Sequence, residues 1–329
     1  MVTIIIPFGQ KECIIPDNNK KEMKEQNYTL STYNSHQQDD LVTKTIYMTY
    51  KKNIPRRVKE RWLQHNPDYK IDFSLDANCF HFLQNNFNHN VSNLFHSIQK
   101  GMYKADLWRL CKLYKNGGVY ADIDLVPHLN IDQLNKNITF YSCLSIAPNS
   151  IFQAFIVNFS KPNDPLLLAL ILSFLLNKPY RYKDGPTFDM YKCIKYMLNV
   201  NKILPETKYE IDTVKLKICI GPSKSNIKRI HLLYFPPSIK YFIKLHQNSY
   251  KDNFDFKIEN DYLIIKRIDN NTGWDHNHFI DICFPSRSSF FFFPENRGPN
   301  KNWVTSFVTH GGKKILDSRD MDYYKNKGW

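Results

Sequence analysis

The chain has 329 residues, with 45 Lys and Arg against 31 Asp and Glu, a formal net charge of +14, and 23 Phe, 20 Tyr and 5 Trp. That length and aromatic content exclude a peptide module and a disordered chain, while the positive balance suits anionic partners such as nucleic acid, acidic membrane surfaces or phosphorylated small molecules. The seven cysteines, Cys13, Cys79, Cys111, Cys143, Cys193, Cys219 and Cys283, include no Cys-x-x-Cys pair, which argues against a disulfide framework or a zinc site and for a reducing compartment.

In chain order, residues 1–43 are rich in Lys, Asn, Gln, Ser and His and read as a polar N-terminal extension; Val2–Ile6, cut by Pro7, is too short for a signal-peptide core. The globule begins at Lys44. Thr45–Tyr50 is a β-type run, Pro55 opens a helix that Pro67 ends, Tyr69–Leu75 alternates as a second strand, and Ala77–Phe87 is helical. From Ile98 to Asn116, Tyr103, Leu107, Leu110 and Tyr114 share one helical face, and Gly117-Gly118 stop that helix before the strand Val119–Ala121. Thr139–Ile146 and Ile151–Phe159 read as strands, Pro165–Leu176 and Pro186–Leu198 as helices. Over residues 44–204 this is the βαβα order of a nucleotide-binding sheet.

From 205 to 329 the pattern changes to short strands between Pro, Gly and Asn turns: Tyr209–Ile220, Ile230–Phe235, Phe254–Ile268, Phe279–Phe284 and Ser289–Phe293, with Pro236-Pro237 a turn. The expected fold class is α/β, a mixed sheet flanked by helices with an appended C-terminal β-rich region. The longest apolar run, Leu166–Leu176, has about half the length a bilayer crossing needs. The chain therefore reads as soluble and intracellular, in the cytoplasm.

The chemistry concentrates in residues 104–124. Asp122 and Asp124 directly follow an apolar strand, where alternation sends both to one side of its carboxyl end, the end at which open α/β sheets bind ligands. Two carboxylates there repel unless a cation or strong donors offset them, and Mg²⁺ or Mn²⁺ takes such oxygens together with substrate phosphates. On spacing alone, a solvated turn is the favoured explanation of the pair. Asp106 and Arg109 lie three apart on the helix that leads into this strand; taken alone they are a surface ion pair worth roughly 0.2–0.5 kcal/mol.

Together, Ala105-Asp106-x-x-Arg109 and Tyr114-x-x-Gly117-Gly118-x-Tyr120-x-Asp122-x-Asp124 resemble glycosyltransferase family 32, the DXD-motif sugar transferases that include yeast-type mannosyltransferases and, more distantly, the clostridial glucosylating toxins. Lys44–Tyr50 with Ile54-Pro55 resembles that family's first strand, with Tyr47 where His is usual and Tyr50 where Trp is usual. Asn66–Tyr69 resembles its turn before strand two, and Asp184-Gly185-Pro186-Thr187 its Gly-Pro helix start. Phe307–His310 with Gly311–Lys314 resembles the aromatic-x-x-His segment that closes many such sites, without the family's following Ser-Trp. Thr272-Gly273-Trp274, with Asp269 and His276 or His278, is the competing candidate.

The resemblance implies a GT-A-like Rossmann-type fold, a UDP- or GDP-hexose donor, Mn²⁺ or Mg²⁺, a hydroxyl-bearing acceptor and retention of configuration. Carried over by position, Asp106, Arg109 and Asp122 hold the donor sugar, Tyr120 lines the same pocket, and Tyr50 stands at the base. Asp124 ligates the metal with Asp122 beside it, His310 completes the metal shell, and Lys313 or Lys314 neutralises phosphate. The rival class is a basic nucleic-acid-binding protein or a metal-dependent nuclease; dispersed basic residues, with no arginine-rich or aromatic-flanked run, disfavour nucleic acid as a partner.

Overall fold

The computed structural model describes residues 43–87, 89–177, 185–220, 227–231, 244–247, 254–259, 262–267, 278–298 and 306–317. The N-terminal extension up to residue 42, Pro236-Pro237, Asp184 and the Asp269–His276 candidate lie outside the described residues.

The first half runs β1 (Thr45–Thr49), α1 (Arg56–His65), β2 (Lys70–Ser74), α2 (Asp76–Asn86), α3 (His89–Ser97), α4 (Gly101–Asn116), β3 (Gly118–Ala121), β4 (Val126–Pro127), β5 (Phe140–Leu144), β6 (Ile151–Asn158), α5 (Pro165–Asn177) and α6 (Pro186–Leu198). In the second half the regular elements among the described residues are strands: β7 (Lys208–Ile220), β8 (Ile227–His231), β9 (Lys244–Gln247), β10 (Phe254–Glu259), β11 (Tyr262–Arg267), β12 (His278–Arg297), β13 (Ser306–His310) and β14 (Lys313–Asp317). The fold is thus a mixed sheet flanked by helices, followed by a β-rich region. Among the described residues no helix is long and apolar enough to cross a membrane.

Strand order in the main sheet is β2-β1-β3-β6-β5-β12-β13-β14-β4, with β7 and β9 also paired to β12; β10, β11 and β8 form a separate three-stranded sheet. β1 runs parallel to both β2 and β3, whereas β3–β6 and β5–β6 are antiparallel. The central strands β3, β5 and β6 are buried on both faces, so nearly every one of their positions is enclosed rather than alternate ones. Tyr47, Tyr120, Phe140, Phe290 and Phe292 face one core with α4, α5 and α6. Their neighbours Ile46, Met48, Val119, Ala121, Tyr141 and Phe293 face a second core with Trp62 of α1 and Leu316 of β14.

Several elements differ from the sequence reading, among them the short strands β4 and β9, which are additions, and β8, which starts earlier than the expected Ile230–Phe235 strand. Helix α3 is an addition: Val91, Leu94, Phe95 and Ile98 have i, i+3, i+4, i+7 spacing, and Val91, Phe95 and Ile98 are buried. The strand expected over Phe254–Ile268 is a pair, β10 and β11, antiparallel in register from Phe254↔Arg267 to Glu259↔Tyr262. Conversely, the two strands expected at Phe279–Phe284 and Ser289–Phe293 are one, β12. Pro285 has no N–H for the ladder, and the β7–β12 register shifts between Pro285 and Ser288, so the break is absorbed as a bulge.

The junction of α4 with β3 depends on glycine. Gly117 has φ 64° and its N–H closes the helix onto Leu113 O at 2.8 Å; Gly118 has φ 89°. A Cβ on Gly118 would lie 2.9 Å from Thr45 O and 3.1 Å from the Tyr47 ring. Close approach of β1 and β3 and the positive φ both demand glycine there. Gly118→Ala is expected to destabilise the fold by roughly 2 kcal/mol or more, read from urea unfolding; an unchanged midpoint would show that the β1–β3 contact yields without cost.

Candidate active site

Helix α4 is buried over most of its circumference, from Asp106 to Cys111 and again at Leu113 and Tyr114. Asp106 and Arg109 therefore lie inside the protein, with side chains 8% and 4% exposed. The surface ion pair that their spacing allows is replaced by a buried junction. Arg109 Nη2 lies 3.2 Å from Asp106 Oδ1 and 3.4 Å from Asp122 Oδ1. Its Nε donates to Ala105 O at 3.2 Å, its Nη1 to Gln153 O, and its guanidinium lies over the Tyr120 ring, 4.3 Å from the centroid.

Period-two geometry explains the other half of the site. Tyr120 and Asp122 point to the same side of the sheet, and Tyr120 Oη donates to Asp122 Oδ1 at 2.6 Å. Strand β3 ends at Ala121, and Asp122 N donates to Ala154 O at 2.8 Å before Leu125 N turns back to Asp122 O at 3.2 Å. The strand alternation expected to align both aspartates thus stops at Asp122: a turn, not the pleat, sets Asp124. Asp124 still lies close enough to raise the Arg109 pKa, together with Tyr120, Asp122 and Asp106. The Asp122 side chain is the most open of the Asp106–Arg109–Asp122 trio, at 34% exposed.

Three carboxylates around one guanidinium leave an excess of negative charge. Burial pushes the Asp106 carboxyl up to about 6; Asp122 adds to the rise and Arg109 opposes it. Burial also holds the Tyr120 hydroxyl well above its usual range, so it stays a donor to Asp122.

The segment beyond the acidic turn is held by the C-terminal hairpin. β4 pairs with β14 at Pro127↔Leu316 and Val126↔Asp317, His128 N donates to Ile315 O at 2.8 Å, and His128 Nε2 lies 2.8 Å from Asp317 Oδ2. Phe307–Lys314, expected as a closing segment, is this hairpin, β13 and β14 joined at Gly311-Gly312. The His310 imidazole packs edge-on against Phe291 and Phe293, with centroids 5.4 and 5.3 Å away, and its Nδ1 lies 3.3 Å from Glu206 Oε1, which also accepts from Gly311 N. Among the described residues no three His, Cys, Asp or Glu side chains gather as a metal-binding group, so His310 is not brought together with Asp122 and Asp124. Lys313 is exposed opposite His310, and Lys314 pairs with Asp317 at 2.9 Å.

Tyr50 follows β1 at the edge where β3 delivers Asp122, since Tyr47 is in register with Tyr120. It is half-buried against the second core, and its N–H reaches Ser74 O at 3.3 Å. Gly185, at the start of α6, approaches α4: a Cβ there would meet the Tyr103 hydroxyl at 3.2 Å. The sequence reading missed Gln153 and Ala154, which act through backbone carbonyls and carry no side-chain signal.

Residues 55–141 match the family described as the glycosyltransferase sugar-binding region containing a DXD motif. Asp106, Arg109, Tyr120, Asp122 and Asp124 all fall inside that segment, so the chain carries this region and resembles the DXD-motif sugar transferases. A similar curated protein is the initiation-specific alpha-1,6-mannosyltransferase of Candida albicans (strain SC5314 / ATCC MYA-2876), 31% identical over 104 residues, which are 29% of this chain and 27% of that one. The chain thus matches about a quarter of that relative's length. Among solved structures, the PaToxG glycosyltransferase is similar with a TM-score of 0.37 and 18% identity, over 47% of this chain and 71% of that one.

The buried carboxylate makes a signed prediction. A folded-state pKa raised from 3.8 to about 6 means the native state binds the Asp106 proton more tightly than the unfolded chain. Its contribution is present below about pH 4 and is lost as pH rises through 6, by on the order of 3 kcal/mol. In metal-free buffer, wild-type stability relative to Asp106→Asn should fall between pH 4 and 6.5 and then level off. A difference that grows over that window would mean the Arg109 pairing outweighs desolvation.

Proposed function

We propose that the chain is a metal-dependent, retaining glycosyltransferase of GT-A type that moves a hexose from a UDP- or GDP-sugar to a hydroxyl acceptor on a glycan, protein or lipid. The observation that carries this reading is the buried Arg109 bonded to Asp106 and Asp122 at the carboxyl end of β3, within the segment that matches a DXD sugar-binding region. Carboxylates and a guanidinium make strong, directional bonds to vicinal hydroxyls. Asp122, the most open of the three, meets the donor sugar, and Asp106 and Arg109 form the deeper wall behind it. Tyr120, donating to Asp122, leaves the second carboxylate oxygen for the ligand.

The donor set fits a hard divalent ion. Asp122 and Asp124 supply two oxygen-bearing side chains in a region of excess negative charge, and such ions commonly take one or two protein carboxylates and complete their shell with phosphate oxygens and water. A three-residue protein cage is not required. Asp124 would hold the ion directly, with Asp122 beside it adding negative charge, and the chemistry the ion would supply there is to neutralise the departing diphosphate. The chain's own residues orient the hexose, and the acceptor hydroxyl attacks from the face that the diphosphate leaves, passing its proton to that leaving phosphate. Lys313, exposed on the hairpin that holds β4, is proposed as an accessory contact to the diphosphate.

The test is hydrolysis of UDP-glucose, UDP-N-acetylglucosamine and GDP-mannose with Mn²⁺ or Mg²⁺, which needs no acceptor, alongside calorimetry of UDP and GDP with each ion. Asp122→Asn should lower turnover roughly 100-fold or more while nucleotide binding persists, and Asp124→Asn should weaken metal-dependent nucleotide binding itself. Equal, large binding losses in both variants would defeat this division. No turnover and no nucleotide binding, with tight salt-sensitive binding to RNA or DNA, would defeat the transferase reading.

A further inference from the structure

We propose that a three-residue excess in β6 is a device that positions Arg109 and, through it, its partner Asp122, and that Ser142 on β5 is the positioning residue that holds it. The β5–β6 register runs Tyr141↔Val157 and then Cys143↔Phe152. One residue of β5, Ser142, thus faces four of β6, Gln153 to Ile156. On its other edge β6 stays in regular register with β3 through Ala121↔Phe155. The irregularity is confined to the β5 side.

Bulges leave main-chain groups without ladder partners, and a buried carbonyl must then find a donor elsewhere. Two carbonyls on the β5 side find theirs in the site or its support. Gln153 O accepts from Arg109 Nη1 and Phe155 O accepts from Ser142 Oγ at 3.2 Å, while Ala154 O, between them, points to the other edge and keeps its ladder partner there, accepting from Asp122 N at 2.8 Å. A regular β6 would spend the Gln153 carbonyl on β5 and leave Arg109 without that acceptor. Ser142 is fully buried between strand neighbours whose side chains enter the second core. A hydroxyl there costs free energy unless it bonds, and its bond spans the gap that the excess residues open.

The activity part of this inference rests on the glycosyltransferase reading; the geometric part does not. Two measurements on the full chain separate them. In a crystal structure of Ser142→Ala, the Arg109 Nη1–Gln153 O contact should open beyond hydrogen-bond range. In hydrolysis of UDP-glucose and GDP-mannose with Mn²⁺, kcat should fall about tenfold or more, because small misplacement of site groups is costly, while KM changes less than about threefold because the diphosphate and base are held elsewhere. Ser142→Thr, which keeps the hydroxyl, should recover most of the rate. Cys143→Ala, a buried neighbour on the opposite face, controls for lost stability and should keep kcat. Should Ser142→Ala not fold, Ser142→Cys, a weaker donor, is read in the same way. An intact Arg109–Gln153 contact in the variant overturns the proposal, as does an unchanged kcat in an active protein. If the wild type hydrolyses no sugar nucleotide, the transferase reading fails alone and the crystal structures decide the positioning role.

Discussion

The guanidinium of Arg109 is the interaction on which the site depends. One planar group bonds to Asp106 on its own helix, Asp122 past the end of β3, and the Gln153 carbonyl of β6, while Tyr120 covers its face. Helix, strand end and neighbouring strand are thereby fixed to one another by a charge buried deeply enough that losing a partner would cost several kcal/mol. A lysine ammonium could not reproduce this, because it has neither the fork nor the flat surface that meets the Tyr120 ring. The junction is costly as a stabiliser alone; its value lies in holding carboxylates close together against their repulsion.

That junction is possible because the sheet is covered on both faces. Tyr120 and Asp122 enter the side occupied by α4, whereas Val119 and Ala121 pack on the side occupied by α1 and the C-terminal hairpin. The acidic turn is consequently held at both ends: Asp122 N on Ala154 O before it, and Val126-Pro127 on β14 after it. A turn fixed in this way presents carboxylates without first having to order a loop, so less binding free energy is lost to conformational entropy. The C-terminal strands are therefore part of how the turn is held.

Much of this was legible in the sequence, for identifiable reasons. The α4–Gly117-Gly118–β3 transition shows in helical periodicity ended by a glycine pair, and Asp106, Arg109, Tyr120, Asp122 and Asp124 show in their spacing. Burial of the Asp106–Arg109 pair did not, because i, i+3 spacing is the same on a wetted helix and on one enclosed by other helices. The strand ends at Ala121, so the period-two reading reaches Asp122 but not Asp124, which a turn sets. His310 was read by motif alone, and its ring is engaged by Phe291, Phe293 and Glu206, contacts that bring together residues far apart in the chain. The roles of Gln153, Ala154 and Ser142 arise from strand register, which depends on the pairing of β5 with β6 and has no local signature.

The most direct measurement of the central claim is a crystal structure of the protein soaked with UDP or GDP and Mn²⁺. A diphosphate is expected at the Asp122–Leu125 turn, with the ion held by Asp124 and the Arg109–Asp106–Asp122 junction unchanged. Nucleotide bound away from that turn, or an ion bound without either aspartate, would contradict that claim.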